Sequence, residues 1–291
     1  MGLAVFDIGG TAVKHGVWEN DNLIELNSFP TPASFEELLE KFQQVIQGYG
    51  KKIGGVAISS PGAVDSEKRT ILGISAVDYL HQRPIFDELE DYLGLPVTIE
   101  NDANCAGIAE VELGAGKHSQ HMAFVVLGTG VGGAIFIDRK LYKGANLFGG
   151  EFGLMKSMSN QTFSQNGTLV KAAKFYSAQI DKQVTGKDLY QLSEAGNELA
   201  KSYLDAMYQT IANNLYTIQV TLNPELIVLG GGVSRRPELA NEVSSRLKKL
   251  LKDEQVEEIM PEVRCCEFHN DANLIGAAMN FQLTLPSVSD K

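Results

Sequence analysis

Asp102, in the run Glu100-Asn101-Asp102-Ala103-Asn104, stands between two glycine-rich turns, Asp7-Ile8-Gly9-Gly10-Thr11 and Leu127-Gly128-Thr129-Gly130. Glycines let backbone amides approach an anion closely, because no Cβ shields the N–H groups. Two phosphate-sized turns with one carboxylate between them suit transfer of a phosphoryl group from a nucleotide to a hydroxyl. A carboxylate at the end of a strand and the mouth of a helix is favoured as the anion by the helix dipole. It can then accept the hydroxyl proton as the oxygen attacks phosphorus. The rival role for Asp102 is a helix N-cap, since Asp is among the best capping residues. Capping does not account for Asn101 and Asn104 beside it, whose amides suit the hydroxyls of a sugar or polyol.

Asp7, at the end of its strand, is placed to hold the water shell of Mg2+, a cation that takes few carboxylates and keeps several waters. Gly128, Gly130 and Gly133 also satisfy the dinucleotide pattern G-x-G-x-x-G. That pattern needs a helix directly after the turn, whereas Ala134-Ile135-Phe136-Ile137 reads as strand, which disfavours a nicotinamide-dependent dehydrogenase. Either turn alone reads as an ordinary tight hairpin; two at equivalent places favour phosphate binding. Gly230-Gly231-Gly232 follows a strand and precedes a helix. It either receives the flat face of an adenine or ribose or is a crowded strand-to-helix crossover. Glu151, between Gly149-Gly150 and Phe152-Gly153, either clamps two vicinal sugar hydroxyls or is an acid on a surface loop. The five histidines form no metal-ligand spacing.

Strands are expected around the first turn at residues 3–6, 13–18 and 23–29. Behind them Phe35, Leu38, Leu39, Phe42, Val45 and Ile46 keep helical spacing. A strand at 53–58 ends in Ser59-Ser60-Pro61-Gly62, a helix covers 84–93, and a strand at 97–100 delivers Asn101 and Asp102 to a helix over 104–113. The second half opens the same way, with strands at 122–127 and 134–138 leading to Leu141-Tyr142. A polar segment at 157–166 follows, then helices at 169–180 and 198–220, a strand at 226–229, a helix at 237–251, a strand at 263–268 and a last helix at 274–283. The weak internal echo predicts an α/β protein of two similar βββαβα halves. They meet near Gly114-Ala115-Gly116, with a cleft between domains.

The chain has 291 residues, 44% hydrophobic and 21% charged, a balance that suits a soluble globular protein with a large core. A net charge of −11 argues against nucleic acid and anionic membrane as partners. The densest basic cluster, Arg246, Lys248, Lys249 and Lys252, lies among acids on a helical pattern and reads as a solvated face. Cys105, Cys265 and Cys266 form neither a disulfide framework nor a Cys-x-x-Cys zinc pair. Without a secretory h-region or a membrane-length apolar run, the expected location is the cytoplasm.

Across nearly its whole length the chain resembles the ROK family of sugar kinases and repressors, within the actin/hexokinase-like (ribonuclease H-like) fold. The resemblance lies in Asp7-Ile8-Gly9-Gly10-Thr11 with Lys14, Pro61-Gly62-Ala63-Val64-Asp65, Glu100-Asn101-Asp102-Ala103-Asn104, Gly128-Thr129-Gly130-Val131-Gly132-Gly133, Gly149-Gly150-Glu151-Phe152-Gly153 and Leu229-Gly230-Gly231-Gly232-Val233-Ser234. It implies an N-terminal domain over 1–115, rejoined by the helix at 272–285, and a nucleotide-binding and dimerisation domain over 116–271. It also implies an ATP- and Mg2+-dependent homodimeric kinase acting on a hexose 6-hydroxyl, with Asp102 as base. Asn101, Asp102, Glu151 and Gly62 would then bind the sugar. Asp7, Gly9, Gly10, Thr11, Lys14, Gly128, Thr129, Gly130, Gly231 and Gly232 would bind ATP, Asp7 reaching Mg2+ through water.

Departures from the family pattern sharpen the expectation. The chain starts at the first strand, with no helix-turn-helix segment before it, so DNA binding is not expected. Leu154 stands where most members carry a histidine, residues 157–168 replace their zinc-binding cysteine segment, and Val170 aligns with a sugar-binding glutamate. The family's common asparagine is missing from Ile74-Ser75-Ala76-Val77. Zinc is therefore not expected, and the site is expected to have lost its grip on the anomeric hydroxyl. A β-glucoside such as cellobiose is the favoured substrate. Free glucose, N-acetylmannosamine or another hexose is the alternative, and a sugar-binding sensor without catalysis is the reading from a different class.

Overall fold

The first sheet is built around β1 (Gly2–Ile8), an apolar strand buried along its whole length. Such continuous burial marks a central strand covered on both faces. β2 (Ala12–Glu19) and β3 (Asn22–Pro30) complete an antiparallel meander. Asn20 and Asp21, with φ of 50° and 57°, form the two-residue turn between them, as the right-handed strand twist favours. α1 (Phe35–Gly48) is capped by Ser34 and buries Phe35, Leu38 and Phe42. Phe42 stacks on Phe6 with ring centroids 3.9 Å apart. β4 (Ile53–Ser60) runs parallel to β1, and a small hairpin of β5 (Ala63–Asp65) and β6 (Thr70–Leu72) follows. After α2 (Ile85–Leu93), β7 (Val97–Asn101) lies parallel to β4 and leads into α3 (Asp102–Glu112).

The second sheet repeats the scheme. β8 (Met122–Leu127), β9 (Val131–Ile137) and β10 (Lys140–Leu141) form its meander, with Asp138 and Arg139 in the last turn at φ of 50° and 63°. The helices α4 (Phe163–Asn166), α5 (Leu169–Ile180), α6 (Gly186–Glu194) and α7 (Glu198–Leu222) come next. β11 (Leu226–Gly230), α8 (Glu238–Asp253) and β12 (Glu262–Cys265) follow, and α9 (Ala272–Thr284) ends the described chain. The strand orders are β3-β2-β1-β4-β7 and β10-β9-β8-β11-β12, the same permutation in both sheets. The expected two-part α/β architecture is present.

This computed structural model describes residues 1–156, 160–236 and 238–285. The expected helix start at Pro237 and residues 157–159 of the expected polar segment lie outside them. The chain groups into two units. One comprises Met1–Glu112, Gly144–Phe148 and the described residues from Asn270 onward; the other comprises Leu113–Lys143 and Gly149–His269. In the first unit α3 and the first two turns of α9 are buried nearly all round, which explains why neither shows an amphipathic stripe. A Cβ on Gly276 of α9 would stand 1.7 Å from the carbonyl oxygen of Cys105 in α3, so glycine sets how closely these helices pack.

Several details differ from the sequence expectation, among them the start of β9 at Val131 rather than Ala134. α3 begins at Asp102 rather than Asn104. β12 stops at Cys265 rather than Phe268. The β5–β6 hairpin and α6 were not foreseen, although Thr185 and Asp188 form a capping box at the start of α6. The polar segment contains α4, whose own capping box joins Thr162 to Gln165.

Candidate active site

β1, β4 and β7 are adjacent and parallel, so their carboxyl ends line up. Asp7 pairs with Ser59, Ser59 with Glu100, and Ser60 with Asn101. Ligands of open α/β sheets bind at this end of the strands. Asp7 is buried, and its Oδ1 accepts from Ser59 Oγ at 2.8 Å and Asn273 Nδ2 at 2.9 Å. Its Oδ2 lies 3.9 Å from Nζ of Lys14, which also approaches the carbonyl of Asn270 at 3.4 Å. With Oδ1 committed to two donors, Oδ2 faces the Lys14 ammonium and is the oxygen that could reach a hydrated cation. A single oriented carboxylate suits Mg2+, which retains its waters.

Asp102 is exposed at the first residue of α3, but the cap belongs to its neighbour. Asn101 Oδ1 accepts from the amides of Ala103 at 3.0 Å and Asn104 at 3.2 Å. Asn101 Nδ2 donates to the Gly62 carbonyl at 3.0 Å, which leaves its second amide hydrogen to offer a ligand. Asp102 Oδ1 accepts from Ala103 N at 2.8 Å, holding the carboxylate at the positive end of the helix. Asn104, expected to face a sugar, instead turns inward and donates to Glu100 Oε1 at 2.9 Å. Beneath them, burial and the charges of Glu100, Asp7 and Asp102 push the Cys105 thiol well above its ordinary range. It stays a neutral thiol, unsuited to nucleophilic work.

The turn at residues 9–11 is fixed by Thr31, whose hydroxyl donates to the Gly9 carbonyl at 2.6 Å and whose amide donates to the Thr11 carbonyl at 3.0 Å. Gly62 has φ of +100°, and a Cβ there would stand 2.7 Å from Ile71 and 2.9 Å from the His81 ring. Only glycine fits that bend.

In the second unit the β8–β9 turn is closed by Gly128 N donating to the Gly130 carbonyl at 2.9 Å. β9 follows directly, so this glycine turn does not open a helix. Gly133 is a packing glycine, since a Cβ there would meet Phe152 at 2.4 Å. Gly231, at φ +89°, lies against the end of β8, where a Cβ would stand 2.3 Å from the Leu127 carbonyl. The second glycine stretch therefore adjoins the β8–β9 turn, while a Cβ on Gly232 would meet nothing within 4 Å. Glu151 precedes a turn of 3-10 helix, Phe152–Leu154, and retains solvent contact. Partial desolvation raises its carboxyl above the ordinary glutamate range.

The sequence profile of the ROK family matches residues 3–283. The chain belongs to the ROK family. It is 30% identical to a β-glucoside kinase of Listeria innocua, over 97% of each chain. Among solved structures, a ROK family protein of Streptococcus pneumoniae in complex with sucrose is 33% identical, with a TM-score of 0.90 over 98% of this chain and 99% of that one. A ROK glucokinase of Streptomyces griseus in complex with glucose and AMPPNP is 25% identical, with a TM-score of 0.81 over 96% and 98% of the two chains.

Within this ROK chain, each unit gathers its own set of the residues singled out by sequence. The first holds Asp7, Gly9, Gly10, Thr11, Lys14, Gly62, Asn101 and Asp102; the second holds Gly128, Thr129, Gly130, Glu151, Gly231 and Gly232. Leu154 and Val170 are exposed apolar side chains, at 61% and 49%. Sequence reasoning missed Ser59, Asn273 and Ser164, which fix Asp7 and the β8–β9 turn. Ser59 at least carried a signal, as the last residue but one of a buried strand before a Pro-Gly bend.

Proposed function

We propose that this ROK chain is an ATP-dependent sugar kinase whose favoured acceptor is the 6-hydroxyl of a β-glucoside such as cellobiose. The observation that carries catalysis is the division of labour at the start of α3: Asn101 makes the helix cap, so capping does not account for Asp102. Asp102 takes the proton of the acceptor hydroxyl as that oxygen forms its bond to the γ-phosphorus. The bond from the γ-phosphorus to the β–γ bridging oxygen breaks, ADP departs, and the proton passes from Asp102 to solvent. The amides of Gly9, Gly10 and Thr11, with Lys14, take phosphate oxygens. Gly128, Thr129, Gly130, Gly231 and Gly232 receive the remainder of the nucleotide. Asp7 would hold a hydrated Mg2+, which would supply neutralisation of phosphate charge. Asn101, Glu151 and the bend at Gly62 orient the sugar.

The β-glucoside preference is supported by the exposed apolar side chains of Leu154 and Val170, in place of the family's histidine and glutamate. Neither can hydrogen-bond an anomeric hydroxyl, and both can pack on an aglycone or a second sugar ring. The kinship with β-glucoside kinases over 97% of the chain points the same way. As the family resemblance implies, we take the enzyme to act as a homodimer in the cytoplasm. The test is kcat/KM for cellobiose, glucose and N-acetylmannosamine with MgATP. Cellobiose is expected to lead; a clear preference for free glucose overturns the specificity and leaves the kinase reading intact.

A further inference from the structure

We propose that Ser164 is a positioning residue that fastens the Gly128-Thr129-Gly130 turn to the turn carrying Glu151, so that one hydroxyl sets nucleotide and sugar affinity together. The proposal rests on the roles given to those two turns above. Val131 follows Gly130 directly and opens β9. Ser164 Oγ accepts from Val131 N at 2.9 Å and donates to Val131 O at 3.3 Å, serving both backbone groups of one residue. A Cβ on Gly153 would lie 2.0 Å from Val131 O and 2.4 Å from Ser164 Oγ, and one on Gly130 would lie 3.4 Å from the same hydroxyl. The hydroxyl therefore stands where the nucleotide turn, the Glu151 turn and α4 converge.

Ser164 cannot easily move away from this junction. Its neighbour Phe163 is 1% exposed and anchors α4 in the core. Phe152, next to Glu151, packs against Gly133 on β9, so a shift of either turn strains the other. Val131 is itself buried, and loss of the hydroxyl would leave its amide without that partner. The strand end would then relax toward a new acceptor, moving the amides of the adjacent turn.

The test compares Ser164→Ala, Ser164→Thr, Thr162→Ala and Gly130→Val in steady-state kinetics and thermal melts. Ser164→Ala is expected to raise KM for both ATP and sugar about fivefold, the scale of one neutral hydrogen bond, with kcat changed less than about twofold. Ser164→Thr, which keeps the hydroxyl, is expected to restore both KM values. Thr162→Ala weakens the same helix without touching the hydroxyl and is expected to lower Tm alone. If Ser164→Ala behaves like Thr162→Ala, or moves only one KM, the coupling proposal is overturned. Should Ser164→Ala not fold, Ser164→Cys carries the same comparison with a weaker hydrogen-bonding group of similar size. Gly130→Val separates the two levels. If it leaves KM for ATP unchanged, the nucleotide role of the turn fails; if it raises that KM while Ser164→Ala does not, only the role of Ser164 fails.

Discussion

The β1–β2 and β8–β9 turns occupy the same place in sheets of identical strand order, but their surroundings differ in kind. The first is flanked by a carboxylate, Asp7, whose Oδ1 is fixed by Ser59 and Asn273. The second follows Leu127, an apolar residue, and is secured through backbone groups that meet Ser164 and Gly231. Repeating a topology thus fixes where an anion can approach, because the turn amides recur with the strands. It does not fix the charge beside that anion, which depends on single side chains arriving from elsewhere. The first unit concentrates carboxylate chemistry at Asp7 and Asp102, and the second offers mostly amides.

The most severe test of this contrast is Asp102→Asn. As removal of a general base it is expected to lower kcat by roughly 100- to 10,000-fold, with sugar affinity retained, as turnover and direct sugar binding would reveal. Retained turnover would reduce the first unit to a scaffold no more chemical than the second. Next in size is Asn273→Ala, which removes one of the two donors that hold Oδ1 of Asp7. A partner that orients a metal-binding carboxylate typically contributes about 10- to 100-fold in metal affinity or activity. The Mg2+ concentration for half-maximal rate should rise on that scale, and a Mg2+ titration unchanged from wild type would count against orientation of Asp7 by α9.

The smallest expected effect concerns Glu151 in the second unit. In the proposed sugar site its ionised form would accept hydrogen bonds from hydroxyls, and desolvation raises its pKa. As pH falls through that raised value the acid is neutralised, so KM for sugar should climb at a higher pH than an exposed glutamate would give. KM measured against pH should show this acidic rise in wild type and lose it in Glu151→Gln. A rise that persists in the variant would assign the titration to another group, returning the second unit to amide chemistry alone.

Much of the fold could be read from local pattern. The buried run of β1, the helical spacing in α1 and the echo after residue 122 each rest on neighbours within a few positions. The misread parts were short or context-dependent. β5 and β6 hold three residues each, too few for a period to declare itself. At the start of α3 the sequence offered three polar residues with similar capping or ligand chemistry. Their roles separated only once the helix began at Asp102: Asn101 capped, Asn104 turned inward, and Asp102 stayed exposed.

By itself the sequence determined the two glycine turns, the carboxylate of Asp102 and the apolar side chains of Leu154 and Val170, since these are properties of residue type and local order. Tertiary structure alone decided what holds Asp7 and the β8–β9 turn. Ser59 is 52 positions from Asp7, Asn273 is 266 positions away, and Ser164 is 33 positions from Val131. Such contacts leave no local trace in the sequence, because a hydrogen bond spans only about 3 Å in space while placing no limit on separation along the chain.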